Sequence, residues 1–334
     1  MAIYNNFSEY TLNLFRHGEK FFEVDDCYVD QYGFVFKDGE LIHSLAIEHI
    51  IWLGSDFHVK HLVAHDDWWA SKRGSLIYNR MNSFSNYFKN LKTRASVVDL
   101  NGVALHLMHP FRRYEYGHFF DTFQKTYLSN EVPYFDSVLL SDVGKINDFD
   151  SHAKCLGLHG KRRVFIQPDV IYKVSKLIYI YPPSPATNFS ENSLKVIRNR
   201  YISEFLVNDS SIPKKLFLTR KPGLSRSLNN YEEVHDSLVR NGVEIIDGSE
   251  SLGVMVESFA NASHIAAVHG SILANSFLVG SSCKFLEYCP ENRPDFTFRN
   301  KLKLSSIYDH RLVQSDEEFN MNLNVSELLS FYNS

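Results

Sequence analysis

From Leu216 onward, short apolar runs alternate with amphipathic stretches, the pattern of β-α units wound around a parallel sheet. The runs Leu216 to Leu218, Val243 to Ile246, Ile265 to Val268 and Lys284 to Tyr288 predict four strands joined by three crossovers. Between them, Asn230 and Glu233 offer a capping box to a helix that carries Val234 and Leu238 and stops at Gly242. Leu252, Met255, Val256 and Phe259 form the next helical stripe, and Ala274 and Leu278 belong to a third. Upstream, Ser190 can cap a helix whose apolar positions Leu194, Ile197, Tyr201 and Phe205 recur at helical spacing.

The segment Tyr181-Pro182-Pro183-Ser184-Pro185 forbids helix and cannot donate to a ladder, so it marks a boundary. The expected organisation is a first α/β lobe over 1–183, a second over 184–315, and a tail over 316–334. In the first lobe, Ser137 to Leu140, Val164 to Gln167 and Leu177 to Ile180 read as buried strands, and Tyr116 to Leu128 as helix. Before Asp99 the pattern gives only short β-like runs and a turn signal at Lys37-Asp38-Gly39.

A net charge of −4 leaves no basic footprint for nucleic acid. Neither the opening twenty residues nor any later run has the roughly 18 consecutive apolar residues of a spanning helix. A cytoplasmic protein is expected, in contact with the inner membrane at most peripherally. Cys27, Cys155, Cys283 and Cys289 lack metal-ligand spacing and read as buried free thiols.

In an open parallel sheet, ligands collect beyond the carboxyl ends of the strands. The first predicted strand of the second lobe is followed by Thr219, Arg220 and later Arg226; the second ends at Asp247; the third runs into His269-Gly270-Ser271; the fourth carries Glu287. Cations and helix-terminal amides suit the phosphates of a nucleotide diphosphate, and Glu287 suits ribose hydroxyls.

Leu218-Thr219-Arg220, Arg226, Asn230 with Glu233, His269-Gly270-Ser271-Ile272-Leu273-Ala274-Asn275 and Phe285-Leu286-Glu287 together resemble glycosyltransferase family 61, the capsular polysaccharide biosynthesis family. Thr219, Ser271 and Ala274 depart from the family's Ser, Ala and Thr. In the first lobe Tyr116-Gly117-His118-Phe119-Phe120-Asp121 resembles the family's His-aromatic segment, with the carboxylate displaced by one residue. The resemblance implies an α/β fold of GT-B type, with two Rossmann-like lobes, parallel sheets, an interlobe cleft and a C-terminal tail that packs back on the first lobe. It also implies an inverting transferase that needs no metal or other cofactor. The donor would be a nucleotide-sugar, a UDP-sugar foremost, and the acceptor an oligosaccharide or lipid-linked glycan. Arg220, Arg226, His269, Gly270, Ser271, Asn275 and Glu287 would bind the donor.

Inverting transfer needs a base for the acceptor hydroxyl, and His118 is the candidate, with Asp121 as alternative base or as the group orienting His118. His65-Asp66-Asp67-Trp68-Trp69 reads as a solvated loop, and His106, His109, Arg112 and Arg113 as a basic loop able to face an acidic acceptor. Two other functions fit the same residues: a transferase moving pyruvyl to a glycan, and a silent nucleotide- or glycan-binding subunit of an assembly complex. The first would need no nucleoside pocket, and the second would bind without turnover.

Overall fold

Strands with both faces covered need apolar side chains at successive positions, and the sequence supplies them in two separate sets. In the computed structural model the described residues are 21–31, 33–42, 84–108, 126, 134–144, 146–180, 191–206, 213–220, 222–294, 298–299, 302–303 and 306–334. They fall into two compact units.

The first unit holds β1 (Phe21–Val29), β2 (Val35–Lys37), β3 (Glu40–Leu41), α1 (Phe84–Arg94), β4 (Ser96–His106), β5 (Ser137–Leu140), β6 (Arg162–Phe165) and β7 (Val170–Ile180). Their order in the sheet is β3-β2-β1-β7-β4-β5-β6. β7, β4, β5 and β6 run parallel, while β1 is antiparallel to β7 and continues into an antiparallel hairpin. The Lys37-Asp38-Gly39 signal is that hairpin's turn: Asp38 and Gly39 take φ values of 53° and 86°, the left-handed pair that a type I′ turn requires. Val174, Leu177 and Tyr179 of β7 pack with Cys27, Leu100, Ala104 and Leu139 in the core. His106, expected in a basic loop, ends β4 instead: it is fully buried against the Tyr179 ring, with Nε2 3.0 Å from the Gly33 carbonyl. His109, Arg112, Arg113 and the His65 to Trp69 cluster lie outside the described residues.

The second unit holds α2 (Phe149–Cys155), α3 (Glu191–Phe205), β8 (Lys214–Leu218), α4 (Tyr231–Arg240), β9 (Glu244–Ile246), α5 (Leu252–Ala260), β10 (Ala262–Val268), a 3-10 helix (Ser271–Leu278), β11 (Lys284–Pro290), β12 (Ile307–Val313) and α6 (Val325–Tyr332). Its sheet is parallel throughout, in the order β12-β11-β10-β8-β9. The four expected strands are present, and β12 adds a fifth beside β11. α4 and α6 pack on one face through Val234, Leu238, Leu328 and Tyr332, against Phe217, Ala266 and Leu286. α3, α5 and the 3-10 helix pack together, with the Tyr201 and Phe277 rings 5.2 Å apart.

Two parts of the second unit have partners that local sequence pattern did not disclose. The tail helix α6 packs in the second unit's core: the buried Tyr332 hydroxyl donates to the Leu216 carbonyl at 2.5 Å and accepts from the Ala266 amide at 3.3 Å. Asn230 makes no side-chain cap on α4. Its amide clasps the backbone of Leu323 from both sides, accepting at 3.1 Å and donating at 2.9 Å, and Glu233 bonds that amide rather than a backbone N–H. A two-point backbone clamp satisfies more of the Asn230 amide than a single cap would.

α2 is anchored by His152, whose Nδ1 lies 2.7 Å from the Tyr201 hydroxyl. Burial lowers the His152 pKa from 6.5 to about 4, with the charge of Asp148 opposing. The folded chain therefore binds this proton less readily than the unfolded chain. The stabilisation is complete above about pH 6.5 and is lost as pH falls toward 4, a change on the order of 3 kcal/mol. We expect the urea midpoint to drop between pH 6.5 and 4.5, and His152→Gln to flatten that drop; parallel pH profiles would remove His152 as its source.

Candidate functional site

The strand order places the topological switch between β8 and β10: the chain leaves β8 toward β9 on one side and resumes at β10 on the other. Connections that part in opposite directions leave a crevice at the carboxyl ends of such a strand pair. Thr219 and Arg220 follow β8, and His269 and Gly270 follow β10, so the switch sets these two turns side by side.

Arg220 and Gly270 meet closely. A Cβ on Gly270 would stand 3.2 Å from Arg220 Nε and 3.7 Å from its Cζ. Gly270 has an extended backbone, with φ 177° and ψ 174°, so its φ does not demand glycine. The missing side chain makes room for the arginine. Arg220 Nη1 also donates to the Ser225 carbonyl at 2.5 Å, and among the described residues no carboxylate pairs with its fork. Burial, and after it the charge of Arg293, lowers the Arg220 pKa from its ordinary value. Guanidinium remains a cation at neutral pH regardless.

Beneath this rim lies a buried relay. His269 Nδ1 is 2.6 Å from Glu287 Oε1, and the Tyr308 hydroxyl donates to Glu287 Oε2 at 2.6 Å. Period two along β12 and the register Glu287↔His310 put Tyr308 and His310 on the Glu287 face. Burial, then the charge of Glu287, pushes the Tyr308 phenol up, so it stays a donor. A carboxylate only accepts, which assigns the Nδ1 proton to His269 and fixes the ring's tautomer.

Glu287 was expected to face a ribose; it is fully buried with both oxygens engaged inside the protein. Asn275 is also fully buried, and its Nδ2 donates to the Ile272 carbonyl at 3.2 Å within the 3-10 helix. Ser271 is exposed at the start of that helix. Asp247 accepts from the Ser249 amide at 2.9 Å, while Glu250 receives the Asp247 and Gly248 amides, so the turn after β9 is folded by its own carboxylates. Arg226 takes the left-handed region at φ 66°, which costs a non-glycine residue about 1 kcal/mol. The neighbouring backbone is held in place: Ser227 donates to Asn320 Oδ1 at 3.1 Å, and Leu228 forms a β-bridge with Met321. His118 and Asp121 lie outside the described residues.

Sequence reasoning missed Arg293, Tyr308 and the Asp316 to Met321 loop. The alternation Tyr308, His310, Leu312 was a weak strand signal for β12, and Asp316 before Asn320 was a turn signal. Arg293 carried none.

The sequence model of the family described as Glycosyltransferase 61 matches residues 116–286, just over half of the chain. The chain belongs to glycosyltransferase family 61. Its resemblance to that family in the sequence is thereby borne out, and its activity is the transfer of a sugar from a donor to a glycan acceptor. The family-61 match takes in His118, Asp121, Arg220, Arg226 and the His269 turn. It stops one residue before Glu287, so Arg293, Tyr308 and the Asp316 loop of this glycosyltransferase lie beyond it. A comparison with curated proteins finds no match. Among the described residues no helix is long and apolar enough to cross a membrane, and no group of three His, Cys, Asp or Glu side chains could hold a metal ion.

Proposed function

We propose that this family-61 enzyme is an inverting transferase that moves a sugar from a nucleotide-sugar, a UDP-sugar foremost, to a growing capsular or O-antigen type polysaccharide or a lipid-linked glycan. The observation that carries the proposal is Arg220 lying against Gly270 at the switch point, above the buried His269–Glu287–Tyr308 relay. As the bond between the sugar's anomeric carbon and the diphosphate breaks, negative charge develops on the departing oxygens. Arg220 and Arg226 stand to receive that charge with their fixed forks, which supports departure without a metal. Gly270 and Ser271 bring backbone to the same place, Asn275 braces the 3-10 helix behind them, and Glu287 holds His269 at its tautomer. His118 takes the acceptor hydroxyl proton, with Asp121 to orient it or replace it, and a single displacement inverts the anomeric centre.

The GT-B architecture belongs to this proposal, supported by a parallel-rich sheet in each unit. So does a cytoplasmic location at the membrane surface, in keeping with four buried free cysteines.

A thermal-shift series against UDP, GDP, CMP, their sugar conjugates and phosphoenolpyruvate tests the reading. Ligand at a hundred times its Kd adds about 2.7 kcal/mol to native stability. One nucleotide family should raise the melting temperature, and Arg220→Ala should abolish the rise while the apo protein stays folded. A rise with phosphoenolpyruvate alone would replace nucleotide-sugar transfer with pyruvyl transfer. An unchanged rise in Arg220→Ala would remove Arg220 from the site.

A further inference from the structure

Arg293 follows β11 directly, and its guanidinium lies over the Phe319 ring at 5.1 Å. Phe319 is an aromatic residue at φ 67°, a conformation that costs energy and persists only where its surroundings impose it. Asp316 imposes it: its Oδ1 accepts from the Glu318 and Asn320 amides at 2.9 and 2.8 Å, and the Phe319 amide donates to its carbonyl at 3.1 Å. Asp316 also ties together the turns that carry the two arginines. Asn229, beyond β8, donates to Asp316 Oδ2 at 3.0 Å, and Asn292, beyond β11, donates to the Asp316 carbonyl at 2.8 Å.

A second path joins the arginines. Arg220 Nη1 bonds the Ser225 carbonyl, Ser225 Oγ donates to the Glu318 carbonyl at 3.4 Å, and Phe319 is the next residue. The charge of Arg293 reaches Arg220, adding to the effect of burial there. Among the described residues neither forms an ion pair with a carboxylate. Like charges brought near one another by a built loop, neither ion-paired to a carboxylate among the described residues, describe a place for an anion.

We propose that Arg220 and Arg293 form a paired-guanidinium seat for the two phosphates of a nucleoside diphosphate, with Phe319 as the platform that aims Arg293. The inference rests on the donor reading and deepens it, because it adds Arg293 to the cations which that reading assigns to the diphosphate. Phe319 is a positioning residue and Arg293 a binding residue.

Calorimetric titration with UDP, GDP, UMP and inorganic pyrophosphate tests the pair in the full chain. Arg293→Ala should weaken nucleoside diphosphate and pyrophosphate binding by about tenfold to a hundredfold, and should reduce the preference for UDP over UMP. Arg293→Lys should recover part of the loss. Phe319→Gly keeps the left-handed turn accessible while removing the platform, and should give a smaller loss in the same direction. The apo melting temperature of Arg293→Ala should be unchanged or higher, since a like-charge contact is relieved; a structural arginine would lower it. Full diphosphate affinity in Arg293→Ala, alongside loss in Arg220→Ala, overturns the pair and leaves the donor reading intact. Pyrophosphate binding that needs both arginines, without nucleotide binding, keeps the pair and removes the donor reading. No binding of either anion by the wild-type chain overturns both.

Discussion

Glu287→Ala should lower the unfolding free energy by about 3–5 kcal/mol, the cost of removing one partner from a buried charged network. The carboxylate joins His269 to Tyr308, and it is fully buried. Without it, the His269 Nδ1–H and the Tyr308 hydroxyl each lose an acceptor in a place water reaches poorly, and an unmet buried donor costs about 1–3 kcal/mol. Glu287→Gln keeps the volume and one acceptor oxygen, so it should cost less than half as much. Urea denaturation followed by circular dichroism measures both. A loss under about 1 kcal/mol for the alanine variant would mean that water or a rearranged side chain replaces the carboxylate, and the relay would not be a unit. If the relay sets the His269 turn, the glutamine variant should also bind nucleotide more weakly than its small stability loss predicts, because Gly270 and Arg220 meet directly beside it.

His118→Ala should reduce turnover by about 10²–10⁴-fold, the usual contribution of a general base, and leave donor affinity within about twofold. The split between the two readouts is the informative part. A base acts on the acceptor hydroxyl, whereas the donor's phosphates are assigned to arginines far along the chain. Steady-state kinetics with donor binding measured by titration separates them. If Asp121→Asn removes turnover and His118→Ala does not, the carboxylate is the base; if both reduce it and the double variant is no worse, histidine and aspartate act as one unit.

The part of this enzyme most legible in its sequence is the second unit's sheet. Leu216 to Leu218 and Ile265 to Val268 are buried on both faces, so they appear as unbroken apolar runs that need no knowledge of their neighbours. β12 escaped because it borders the sheet: Ile307 and Leu312 are 60% and 49% exposed, and Tyr308, His310 and Arg311 break the apolar run. β1 escaped for a different reason. Asp25 and Asp26 interrupt its pattern, and its partner β7 lies across a sequence separation of 153 residues at the Glu23–Lys176 contact. The 3-10 helix read as an ordinary helix, since Ser271 to Leu278 gives the same local signal for both.

The candidate site was half legible on similar grounds. Arg220 and the His269 turn could be named because strand ends can be named, and in a parallel sheet strand ends share one side. Glu287 could be located but not given its role, because Tyr308 takes its second oxygen from a strand the sequence did not disclose. Asn230 matched a capping signal and serves another purpose, since Leu323 reaches it from 93 residues downstream. Arg293 and Phe319 had no local pattern at all. Their pairing exists only once the Asp316 turn has folded over the loop beyond β8.

The order in which the chain emerges during synthesis takes on meaning from α2. This helix lies ahead of β6 and β7 in the sequence, yet it belongs to the unit that begins again at Thr187. Its anchor, Tyr201, follows His152 by 49 residues, so the ribosome delivers the rest of the first sheet before α2 meets its partner. The first half of the gene therefore encodes a helix that belongs to the second unit. A cut between residues 186 and 187 separates α2 from that unit and takes His152 from the Tyr201 hydroxyl, and the nascent chain must hold the helix in reserve until its second half arrives.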